Sequence, residues 1–89
     1  MSTILEIEEK FNLKNRFKEI KKCHEEWSQN NGYNDKEDAL IQSILKDLGG
    51  GKINAMILSE EVINYLIENL PAGFFRTELR VALAYKKKS

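Results

Sequence analysis

Eighty-nine residues with 42% hydrophobic and 31% charged side chains describe one folded domain of modest size, too apolar for a disordered chain. Fourteen basic residues balance fourteen acidic ones, so the formal net charge is zero; this argues against a general nucleic-acid coat or an acidic nucleic-acid mimic, while leaving room for a local patch. Cys23 has no second cysteine to pair with, and no apolar run approaches the roughly 20 residues that span a bilayer.

These totals predict a cytoplasmic protein with no membrane contact. Early acids between Met1 and Glu9 interrupt what would be the apolar region of a signal peptide. A chain this short buries only a thin core, so a partner subunit covering apolar surface would help it. Its richness in Ile, Lys and Asn fits the AT-rich coding of phages and other mobile elements.

In chain order, residues 3–28 read as helix with a change of face. Ile4, Ile7 and Phe11 share one side; Leu13, Phe17, Ile20, His24 and Trp27 share another, about half a turn away on a continuous helix. Two explanations compete. Asn12 caps a new helix starting at Leu13, or one long helix offers its first turns to a second molecule. Ser28 to Tyr33 is a turn cluster. Asn34 and Glu37 then have the spacing of a capping box, and Ala39, Leu40, Ile41, Ile44, Leu45 and Leu48 form the apolar face of a helix over 35–48. Gly49, Gly50 and Gly51 end it, since glycine accepts a left-handed cap without steric cost.

The segment Ile53 to Leu58 alternates too poorly for a strand, so helix or irregular structure is expected. The apolar content then concentrates between Ser59 and Tyr85, around which the remainder is organised. Ser59 is a good N-cap, and Glu60 and Glu61 place negative charge at the positive end of the helix dipole. Val62, Ile63, Leu66, Ile67 and Leu70 follow at helical spacing until Pro71 biases Leu70 out of the helix. A second helix over 74–86 carries Phe74, Phe75, Leu79, Val81, Ala82, Leu83 and Tyr85 and closes on Lys86, Lys87 and Lys88. Phe74 and Phe75 are expected to fill the corner of this hairpin, each contributing roughly 1.5–3 kcal/mol by burial. The fold class is therefore all-α: a single domain over 1–89, a small bundle of about four helices with a C-terminal helical hairpin.

Chemistry finds few footholds. His24 stands beside Cys23, but neighbours on a helix point about 100° apart, and a structural zinc site needs four ligands. No metal or cofactor is expected. The acids Asp35, Glu37, Glu60 and Glu61 fall where first turns favour negative charge, so their placement needs no catalysis. Gly49-Gly50-Gly51-Lys52 lacks the spacing and the Ser or Thr of a phosphate-binding loop. The hairpin is a poor helix-turn-helix, because its second helix offers apolar side chains where base edges need Arg, Asn or Gln.

The most informative charge pattern is the series Lys10, Lys14, Lys18, Lys21 and Lys22, with Arg16 nearby. Like charges at four-residue spacing repel slightly, so helix stability does not explain them. A solvated face accounts for them, or a contact with phosphates or an acidic surface. The sequence thus predicts a non-enzymatic protein-binding module, a small regulator or inhibitor of the phage or mobile-element kind. Its partner-binding residues would be Ile4, Ile7 and Phe11 together with Lys10, Lys14, Lys18, Lys21 and Lys22. Self-association as a homodimer through the Ile4 face belongs to that expectation. The alternative is a nucleic-acid-binding protein using the basic ridge.

Overall fold

A computed structural model describes residues 3–28 and 35–88. Five α-helices and one 3₁₀ turn follow in order: α1 (Thr3–Phe11), α2 (Leu13–Ser28), α3 (Asp35–Leu48), the 3₁₀ turn (Ala55–Ile57), α4 (Glu60–Asn69) and α5 (Phe74–Lys88). Among the described residues there is no strand, so the chain is all-α. The predicted turn cluster at Ser28 to Tyr33 and the Asn34 cap fall largely outside the described residues; Glu37 Oε1 lies 2.7 Å from His24 Nδ1, tying α3 to α2.

The break between α1 and α2 resolves the two-face problem. Asn12 adopts φ 54, a left-handed conformation that Asn tolerates better than most residues. Its carbonyl accepts from the Arg16 amide at 3.3 Å, so it begins α2 with its backbone. Its side chain does not cap an amide as expected but accepts from Asn15 Nδ2 at 2.9 Å. Arg16 then holds the joint. Its Nη1 donates to the Phe11 carbonyl at the end of α1 (3.3 Å) and to Asp47 Oδ2 (2.8 Å), while Nη2 donates to Ser43 Oγ (2.7 Å).

The reorientation turns Ile4, Ile7 and Phe11 onto the chain's own core, where they lie half-buried against it. This face therefore has cover from its own chain and does not need a second molecule for it: a continuous helix would point it away, and one left-handed residue redirects the whole stripe.

The stops elsewhere follow the sequence. At the end of α3 the Gly51 amide donates to the Lys46 carbonyl at 2.8 Å and Gly50 to Asp47 at 3.5 Å, the paired bonds of a Schellman cap. Gly50 and Gly51 have φ of 64 and 100, which L side chains adopt only with strain. Ser59 Oγ accepts from the Val62 amide at 3.2 Å and begins α4. Leu70 leaves the helix at ψ 147, as the following proline requires.

The fully buried side chains Leu13, Ile20, Ile44, Ile63, Leu66 and Leu79 come from α2, α3, α4 and α5, so these helices share one core. Phe17 meets Tyr65 edge-on at 5.6 Å between centroids, joining α2 to α4. Of the two rings after the turn only Phe75 is buried. Phe74 is 66% exposed, because consecutive helical residues cannot both face inward.

Candidate docking surface

Helix α5 carries two apolar stripes. Phe75, Leu79 and Ala82 point into the core, whereas Phe74, Val81 and Tyr85 point out. The outward residues are seven and four positions apart, which at 100° per residue places them within about 40° of one another. Phe74 touches Phe75 edge-on, at 5.5 Å between centroids, and is otherwise open.

The 3₁₀ turn supplies the other wall. Asn54 holds it by accepting from the Met56 amide at 3.0 Å. A turn this short has no buried residue of its own and leaves Ile53, Met56 and Ile57 about half exposed. Gly49 admits the close approach of the preceding loop, because a Cβ there would collide with the Lys52 carbonyl. The result is an open groove of about 440 Å³ between turn and helix, floored by Ala55 and Ala82 and edged by Phe74, Val81 and Tyr85. Glu78 is the one ionisable carboxylate in its lining, and no lysine or arginine lines it. Sequence reasoning missed this groove, although the spacing of Phe74, Val81 and Tyr85, set apart from Phe75, Leu79 and Ala82, carried the signal.

The sequence-predicted residues are distributed differently. Lys10 leaves the ridge with α1, and its Nζ sits 5.3 Å from the Phe11 ring centroid. Lys14, Lys18 and Lys21 stay together on α2 and line a second groove with Phe17, Tyr65 and Pro71. Lys22 looks elsewhere, toward Cys23 and Glu26. Arg16 does not join them, being committed to the joint between α1, α2 and α3. The second groove is of mixed charge, since Glu8, Glu25 and Glu68 also line it.

Within that groove the Tyr65 hydroxyl donates to Glu8 Oε2 at 2.6 Å. Burial, followed by this hydrogen bond and the Glu8 charge, pushes the Tyr65 phenol well above its ordinary range. Tyr65 is therefore a neutral donor binding α1 to α4. Among the described residues no group of three or more His, Cys, Asp and Glu side chains is placed to hold a metal ion. No helix among them is long and apolar enough to cross a membrane.

No protein-family model matches this chain, and neither a curated protein nor a solved structure does. The functional reading rests on the geometry of the two grooves.

Proposed function

We propose that this chain is a non-enzymatic protein-binding module of the cytoplasm, a small regulator or inhibitor that acts by occupying a macromolecular surface. Its docking surface is the groove between α5 and the 3₁₀ turn. The observation that carries this reading is the outward exposure of Phe74 (66%), Tyr85 (63%) and Val81 (50%), contiguous with Ile53 and Met56. Single exposed apolar side chains are ordinary, but a cluster rich in aromatic residues and Met and poor in charge has the composition of an interface core.

A photo-crosslinking residue installed at Val81, and separately at Lys14, tests this in the native host. Discrete protein adducts from position 81, absent from position 14, are the expected result. Adducts from position 14 alone would move the docking surface to the α2 groove and sink the assignment.

A second reading gives Lys14, Lys18 and Lys21 a nucleic-acid or acidic partner, favoured by their shared exposed face beside Tyr65. Such binding weakens steeply with salt and disappears on charge reversal at Lys14 and Lys18. The carboxylates of Glu8, Glu25 and Glu68 along the same groove repel phosphates, which ranks this reading second.

A further inference from the structure

We propose that the occupant of the groove between α5 and the 3₁₀ turn is a second copy of this chain, packed with its α5 antiparallel to the first about a two-fold axis at Val81. The inference rests on the reading of that groove as a docking surface, and names what docks.

The first argument is area. Five large apolar side chains of this groove, Phe74, Val81, Tyr85, Ile53 and Met56, are each exposed by roughly half or more. Together they leave on the order of 500 Å² of apolar surface in the open, toward the upper end of what a monomer carries. Against a partner of equal patch the total buried is about 1,000 Å², the size a specific interface has to reach. A two-fold pairing reaches this with one surface, because the same patch serves on both sides.

The second argument is that the stripe matches itself when reversed. With Val81 on the axis, each residue of α5 faces the one equally far beyond Val81 on the other copy. Phe74 then meets the Lys88 turn of the second helix, where an ammonium group lies over an aromatic ring, and Tyr85 packs alongside. Glu78 faces the stretch around Ala84 and Tyr85 of the other copy, and not its own counterpart. Thr77 and Ala84, small and exposed on the flank, let the two helices approach closely. A parallel pairing would set Glu78 against Glu78 and lose each of these contacts.

The full chain, examined by light scattering across a concentration series, is expected to be a dimer. Val81→Glu places two like charges at the axis and should raise the dimer dissociation constant by about 100-fold or more, with helical content unchanged because position 81 is half exposed. Phe74→Ala should weaken the dimer by about tenfold, again without unfolding. Val81→Cys in a Cys23→Ser background should cross-link to itself under mild oxidation, whereas Lys14→Cys should not. A wild-type chain monomeric at every concentration overturns the second copy as occupant. If Val81 photo-crosslinks join a different protein, the docking surface stands while its self-pairing falls. A dimer indifferent to Val81→Glu and Phe74→Ala overturns both.

Discussion

Two apolar stripes in this molecule begin alike and end differently. Ile4, Ile7 and Phe11 on α1, and Phe74, Val81 and Tyr85 on α5, each lie off the face that their neighbours in sequence give to the core. The first stripe is folded back and half-buried, while the second stays open along its length. The difference is a single backbone event. Asn12 at φ 54 swings α1 onto α2, α3 and α4, whereas α5 runs unbroken from Phe74 to Lys88 and cannot turn both stripes inward. Periodicity therefore tells which residues share a face, and the joints between helices decide where that face points.

The comparison breaks most sharply at Asn12. Asn12→Val puts a β-branched side chain into the left-handed region and removes the acceptor for Asn15, which should cost about 2–3 kcal/mol in chemical denaturation. Asn12→Gly, which takes the same φ freely, should stay within about 1 kcal/mol of the parent. If the valine variant is as stable as the glycine one, the left-handed joint is not what holds α1 in place.

A weaker tie can be cut by pH. The Tyr65 hydroxyl joins α4 to Glu8 of α1, and burial with that bond raises the phenol above its ordinary value near 10. A group whose folded value is raised contributes stability that is complete below its unfolded value and is lost as pH climbs toward the folded one. Stability should therefore hold through neutral pH and fall above about pH 10. Tyr65→Phe should cost about 1 kcal/mol at neutral pH and flatten part of the alkaline decline. A parent and variant that lose stability in parallel above pH 10 would show that Tyr65 keeps α1 docked only through its ring.

Much of the fold was legible because its punctuation is local. The glycines after Leu48, the hydroxyl of Ser59 and the ring of Pro71 act within a turn of where they stand, and each stops or starts a helix where expected. A break at Asn12 was legible as one of two readings, the other being a continuous helix, though Asn12 makes it with its backbone and not with a side-chain cap. What the sequence concealed is long-range. Arg16 resembles one more member of a basic ridge until its partners, Ser43 and Asp47, arrive from a helix some 30 positions away. Ile53 to Leu58 lacks any period, because a 3₁₀ turn fixed by Asn54 is too short to repeat one. The pair Phe74 and Phe75 looked equivalent as composition, and only the azimuth of α5 separates an anchor from an exposed ring.

The exposed ring of that pair, Phe74, yields the smallest effect and, set beside Phe11, the finest test of the contrast. Phe11→Ala removes a half-buried ring packed on the core and should cost about 1–3 kcal/mol, less than a full core truncation because part of the ring already meets water. Phe74→Ala removes an equally large ring that is 66% exposed, touching chiefly Phe75, and should shift monomer stability by no more than about 0.5 kcal/mol. Denaturation is best measured at low protein concentration, where any association through α5 is diluted away and does not lend Phe74 an apparent contribution. At high concentration the gap between the two variants should narrow, since a ring idle within one chain then gains neighbours from another. A Phe74→Ala loss as large as that of Phe11→Ala even at high dilution would mean that the outer stripe of α5 supports its own fold, leaving no exposed face for a partner to use.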